Sequence, residues 1–249
     1  MAINILSGLV SYHELSETAG NDRVDSQGSN DLAEVGPGVP INQAATLYTN
    51  GANSTDFSNN GCGSYQEHLQ KTSPTGMSPG SGSFTVGGWV QWTTDSCSMS
   101  FVSRFESSGN DRQFVLWYLL SNNAWRFDVS SDGLDDFAVN DDEVFVGSTT
   151  LTRFVLAWYN GDDNTINISV NNTAPVSAAG PTAIFSSAAP YEIGNSFIGS
   201  NTPLVGKAQG VGYWNRVLTS DERTFLYNSG DGRAFNEFGA DESEFFLVL

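Results

Sequence analysis

The sequence predicts an all-β protein: a two-sheet antiparallel β-sandwich, or jelly roll, with one short helix near the C-terminus. Three observations carry this. Short apolar runs follow one another with turn residues between them, and Gly alone occurs 26 times. Several runs alternate apolar and polar residues at the period of a half-exposed strand. No helical periodicity separates the runs until residue 219, so sheets must pack on sheets.

The elements can be justified in order. GLVSYHEL (8–15), AATLYTNG (44–51) and SYQEHL (64–69) open the chain as strands. In SFTVGGWVQW (83–92), Phe84, Val86 and Val90 share one face, and Thr85, Trp89 and Gln91 the other. SMSFVSRF (98–105) follows. RQFVLWYLL (112–120) and AWRFDVSS (124–131) flank the turn Ser121-Asn122-Asn123. The first of that pair is apolar on both faces, which predicts a central strand covered on both sides. TRFVLAWYN (152–160) and TINISVNN (165–172) flank Gly161-Asp162-Asp163-Asn164, with Ile166, Ile168 and Val170 on one face. YEIGNSFIG (191–199) and AQGVGYWNR (208–216) close the strand series. At 219–229 the pattern turns helical. Thr219 is the N-cap of a capping box with Glu222, Phe225 and Leu226 face inward, and Gly230 supplies the stop. A helix this short is unstable alone and must dock on the sandwich.

The charge balance narrows function. Ten Lys and Arg stand against 28 Asp and Glu, a net charge of −18. Such a surface repels phosphate backbones and anionic membranes, so nucleic-acid binding is not expected. No apolar run approaches the ~20 residues of a membrane span, so membrane insertion is not expected. The opening MAINILSGLV lacks a basic signal-peptide region, which predicts synthesis in a cytoplasm. Cys62 and Cys97 are too few for a disulfide framework or a Cys-based zinc site; one bridge or two separate thiols are both open.

Four stretches, in order, resemble the concanavalin A-like lectin/glucanase superfamily in its laminin-G-like jelly-roll branch, common in bacterial and phage proteins. They are GLVSYHELSETAGNDRVDSQGSNDL (8–32), SFTVGGWVQ (83–91), TRFVLAWYNGDDNTINISVNN (152–172) and VGYWNRVLTSDERTFLYNSG (211–230). The resemblance implies one jelly roll over 1–230. Residues 231–249 form a tail, acidic and then apolar. It ends in Phe245, Phe246, Leu247, Val248 and Leu249, expected to contact another subunit. The family contains lectins, adhesion modules, hydrolases and virion proteins, so the resemblance speaks for fold before function.

Candidate chemistry is sparse. Hydrolases of this superfamily carry Glu-x-Asp-x-x-Glu on one strand; the chain lacks that pattern, and no catalytic residue is assigned. Asp25, Asn30 and Asp31 lie close together in the opening loop as candidate calcium ligands. The laminin-G resemblance implies a second calcium site at Asp111 and Asn201. Trp92 and Trp125, near strand edges, are the candidate sugar-stacking rings. The expectation is a non-enzymatic virion surface protein of a phage, a capsid decoration or tail appendage, that associates with other virion proteins or itself and binds carbohydrate. The alternative is a secreted or particle-borne, calcium-assisted lectin or adhesin; a glycan hydrolase ranks below both.

Overall fold

The computed structural model of the chain describes residues 3–36, 41–57, 61–62, 67–92, 96–142, 150–198 and 200–239. The strands in chain order are β1 (Leu9–His13), β2 (Ala33–Val35), β3 (Asn42–Ala45), β4 (Asn53–Asp56), β5 (His68–Lys71), β6 (Phe84–Trp92), β7 (Met99–Glu106), β8 (Asp111–Leu119), β9 (Ala124–Ser130), β10 (Asp136–Asp141), β11 (Leu151–Asn160), β12 (Thr165–Val170), β13 (Val176–Ala179), β14 (Tyr191–Ile193) and β15 (Gly206–Trp214). One helix, α1 (Ser220–Tyr227), follows. Two antiparallel sheets result. One runs β13-β12-β11-β6-β15-β4-β3, with β1 also paired to β15; the other runs β10-β9-β8-β7-β14-β5-β2.

Alternation decides which side chains enter the space between the sheets. Phe84, Val86 and Val90 of β6 meet Phe114, Leu116 and Tyr118 of β8 there, with Ile166, Ile168 and Val170 of β12. The Phe84 ring stacks on Tyr213 at 5.4 Å and lies 5.3 Å from Phe114. On the other face of β8, Val115 and Trp117 pack with Phe105, so this strand is covered on both sides as expected.

The two outer faces of the sandwich differ. The outer face of the eight-stranded sheet, with Leu9, Tyr12, Trp89, Phe154 and Trp214, is covered by Phe225, Leu226 and Phe238. Helix α1 is therefore a lid on that face. The capping box is present: Thr219 Oγ1 accepts the Glu222 N–H at 3.2 Å, and Glu222 Oε2 accepts the Thr219 N–H at 2.8 Å. Arg216 grips the same carboxylate at 2.6 and 2.8 Å. We expect Thr219→Ala to cost about 1 kcal/mol in urea unfolding. An unchanged midpoint would mean that packing alone holds the helix.

Several boundaries differ from the sequence expectation. The helix stops at Asn228, which takes the left-handed conformation (φ 47°), two residues before Gly230. The run 44–51 is not one strand: β3 ends at Ala45, and Gly51 N–H closes a turn onto the Tyr48 carbonyl at 3.1 Å. That turn sends Leu47 and Tyr48 to the helix-covered face. In YEIGNSFIG only Tyr191–Ile193 is a strand, because Gly194 turns the chain at φ +88°. Strands β2, β10 and β13 are only three, six and four residues long, and each has at most two large apolar residues to announce it.

The start of the expected tail is part of this body. Phe235 and Phe238 lie 5.4 and 4.8 Å from the Tyr12 ring, and the Phe235 N–H donates to Glu14 Oε1 at 3.0 Å. The apolar end, Phe245 to Leu249, lies outside the described residues. Among the described residues no helix is long and apolar enough to cross a membrane.

Candidate functional site

The second outer face, that of the seven-stranded sheet, holds an open cleft of about 310 Å³. Strand alternation builds its floor. Tyr191 and Ile193 point into the core, so Glu192 between them points out. Leu69 of β5 points in, so His68 and Gln70 point out beside Glu192. Gln70 Nε2 donates to Glu192 Oε1 at 2.8 Å, His68 Nε2 lies 3.4 Å from the same oxygen, and Asn195 Nδ2 reaches Glu192 Oε2 at 3.4 Å. Phe105 and Glu106 of β7 and Pro190 extend the lining, and Phe197 and Asn201 wall it.

The wall is a loop that the sheet pins down. A Cβ on Gly194 would lie 2.9 Å from the Phe57 ring, so only glycine suits both the space and the positive φ at the loop's first turn. Ser103 Oγ donates to the Asn195 carbonyl at 2.8 Å. The hydroxyls of Ser100, Ser196 and Thr202 form a triangle of 2.6, 2.7 and 2.9 Å. Phe197 bridges Glu106 on one side and Asn201 on the other. Below, the buried Arg104 guanidinium binds the carbonyls of Met77, Ser187 and Ala189, which fixes the approach to β14.

Asp128 occupies the same face farther along the sheet. It accepts from Trp117 Nε1 at 2.6 Å and from Arg126 Nε at 2.7 and 3.0 Å. Burial pushes its carboxyl up to about 6, with Arg126 and Trp117 opposing. The folded state thus holds this proton more tightly than the unfolded chain does. Its contribution favours folding at about pH 4 and is lost as pH rises through about 6. We expect about 2–3 kcal/mol of stability to disappear across that window, and Asp128→Asn to flatten the slope. Chemical denaturation at stepped pH measures it; an identical slope in both proteins would refute the assignment.

The structure redistributes the candidates read from the sequence. Trp92 and Trp125 are each 1% exposed and pack on each other at 5.3 Å inside the sandwich. Being near a turn did not expose them, because alternation turned both rings inward; no sugar reaches them. The ring available in the cleft is Phe197, which is half-buried.

Asp25, Asn30 and Asp31 do lie together, but as a hydrogen-bonded turn. Asp25 Oδ1 accepts the N–H groups of Tyr12 and Gln27 at 3.0 and 3.1 Å, and Oδ2 accepts that of Asn30 at 3.0 Å. Asp31 Oδ1 accepts the Asp25 N–H at 2.8 Å, and Asn30 Oδ1 that of Thr75 at 2.8 Å. Burial alone would raise the Asp25 carboxyl, yet the N–H donors of Tyr12, Asn30 and Gly28 outweigh it and hold it below the usual range. A calcium ion facing these oxygens would meet N–H hydrogens, so this set does not fit the metal. Among the described residues no three His, Cys, Asp or Glu side chains gather as a metal site. Asn201 lines the cleft, and Asp111 sits across from Glu106 in the β7–β8 register, its Oδ1 turned to the Ala188 N–H at 2.8 Å.

Sequence reasoning missed Glu192, Asn195, His68 and Phe197. One signal was present: a glutamate between Tyr191 and Ile193 in an apolar strand, where charged residues are rare unless engaged.

A family model described as the concanavalin A-like lectin/glucanases superfamily matches residues 63–222. No curated relative matches the chain. Among solved structures, the fold is similar to the binding domain of botulinum neurotoxin DC in complex with SialylT (12% identity, TM-score 0.62, 90% of this chain and 52% of that one). It is similar to the serotype D ligand binding domain in complex with N-acetylneuraminic acid (13%, 0.61, 91% and 51%). The serotype D binding domain is a third (14%, 0.62, 91% and 52%). The chain spans about half the length of these structures, and at such identities the likeness concerns the fold. The family match is of another kind, for it runs from before β5, through every cleft strand, to Glu222 of the capping box. Because that segment is more than half of its length, the chain belongs to the concanavalin A-like lectin/glucanases superfamily.

Proposed function

We propose that the chain is a non-enzymatic glycan-binding module displayed on a phage particle, a capsid decoration or tail appendage. The observation that carries the glycan reading is the cleft. It joins one half-buried ring, Phe197, to polar groups of the sheet, Gln70 and Glu192, and of the loop after it, Asn195 and Asn201. Sugar sites take this form: an apolar face for the ring and a few placed polar groups for the hydroxyls. The toxin domains that share the fold, in complex with SialylT and N-acetylneuraminic acid, support a sugar ligand in general.

The place of Asp128 argues against its pairing with Glu192 in hydrolysis. The one outward-facing acid pushed up to about 6, Asp128, is not part of the cleft lining. It stands three strand-to-strand steps from Glu192 through Ser103 and Val115, about 14 Å. Paired hydrolase carboxyls stand about 5–9.5 Å apart.

A glycan array with wild type and Phe197→Ala tests the reading. We expect sugar hits that fall at least tenfold in the variant while its melting temperature stays the same; no hit on any glycan rejects it. The particle reading draws on the net charge of −18, which favours solubility at high density, and on the resemblance to phage-borne domains. Mass spectrometry of purified particles tests it, and absence of the chain from them rejects it. Of the two calcium sites, only the pair Asp111 and Asn201 is kept in this proposal. Equal melting temperatures in calcium and in chelator would remove it, because a ligand of the native state raises the midpoint.

A further inference from the structure

We propose that the cleft selects sugars bearing a free amine and rejects sialylated ones. This rests on the glycan-binding reading and names the ligand class of the same site. Two carboxylates, Glu106 and Glu192, line the cleft, and no Lys or Arg is among its described lining residues. Two of the lining amides already donate to a carboxylate: Gln70 Nε2 and Asn195 Nδ2 both point to Glu192.

A second observation is independent of the acids. Asn195, itself a lining residue, is 3% exposed, and its Oδ1 has no hydrogen-bond partner among the described residues. A buried acceptor without a donor is costly, so the site is complete only when something brings an N–H or O–H to it. The charge of the two glutamates and the unmet Asn195 acceptor both call for a positively charged donor. An ammonium group supplies three donors and no acceptor, with a positive charge to face Glu106 and Glu192. An N-acetyl group supplies one donor and no charge. A sialic carboxylate supplies only acceptors and a negative charge, against two glutamates and a chain of net charge −18. The toxin domains bind acidic sugar on the same fold; the chemistry lining this cleft is of the opposite sign.

Titration calorimetry with four probes separates the possibilities: a β-1,4-linked glucosamine tetramer, its fully N-acetylated form, sialyllactose, and spermidine as an amine without a sugar ring. We expect the glucosamine tetramer to bind at least tenfold more tightly than the acetylated one, sialyllactose not to bind, and spermidine to bind at least tenfold more weakly. Glu192→Gln and the rim variant Glu106→Gln should each weaken the tetramer at least tenfold, with melting temperatures checked alongside. Raising salt from about 20 to about 200 mM should weaken it as well. Equal or tighter binding of the acetylated or sialylated sugar overturns the amine selectivity and leaves the glycan reading standing. Equal binding of spermidine overturns the sugar part. Unchanged binding by both folded variants overturns the cleft as the site, and no binding of any sugar here or on the array removes both readings.

Discussion

Reduction of the Cys62–Cys97 bridge is expected to lower stability by about 3–4 kcal/mol. The two cysteines are bonded and 35 residues apart, a loop for which chain entropy gives about that figure. In a chain of this size the melting temperature should fall by roughly 7–15 °C. The effect should also reach function. Cys62 precedes β5 and Cys97 precedes β7, and these strands flank β14, which carries Glu192. The bridge thus ties together the two sides of the cleft floor. Calorimetry with and without reductant, alongside the Cys62→Ser/Cys97→Ser double variant, measures it. A shift below about 2 °C would mean that the unbridged loop is already constrained in the unfolded ensemble.

The second large effect is expected at Arg104. This guanidinium is 3% exposed on the inward side of β7. Its Nε donates to the Ala189 carbonyl at 3.1 Å, and its two terminal nitrogens to those of Met77 and Ser187 at 2.8 and 2.5 Å. No other donor of that shape spans three carbonyls from two loops. Arg104→Met keeps apolar bulk but leaves the acceptors unmet in a low-dielectric site. At roughly 1–3 kcal/mol per orphaned group, and with neighbours coupled, the cost should be about 4 kcal/mol in urea unfolding. Arg104→Lys should recover less than half, because one ammonium cannot reach all three. A loss under about 1.5 kcal/mol for Arg104→Met would show that Gln113 Nε2, which also donates to the Met77 carbonyl at 2.6 Å, carries the loop. Because Ser187 and Ala189 lead directly into Pro190 and Glu192, the variant should also bind glycan more weakly while folded.

Much of the sandwich was legible from side-chain period. In β6 and β12 alternation shows, in β8 and β11 a continuous apolar run does, and each strand runs within two residues of its expected span. The turn asparagines Asn123 and Asn164 are in the left-handed region (φ 51° and 54°), as turn residues should be. The capping box was legible too, since its hydrogen bonds join residues three apart. Strands β2, β10 and β13 were not, since three to six residues with one or two large apolar side chains are too short a run for a period to stand out. The Trp92 and Trp125 expectation failed for a related reason. Proximity to a turn is a property of the chain, whereas exposure is set by what the opposite sheet places over the ring.

The amino-acid sequence by itself determined the all-β class, the turns, the helix with its cap, and the net charge of −18. All of these are local, or are sums over the chain. Only the tertiary structure decided where the cleft lies. Its residues come from 68–70, 105–106 and 190–201, and β14 brings them together by pairing with β5 on one edge and β7 on the other. The helix covers one outer face, and the cleft lies on the other. Strand pairing and face coverage depend on contacts between residues far apart in the chain, and no local pattern encodes those.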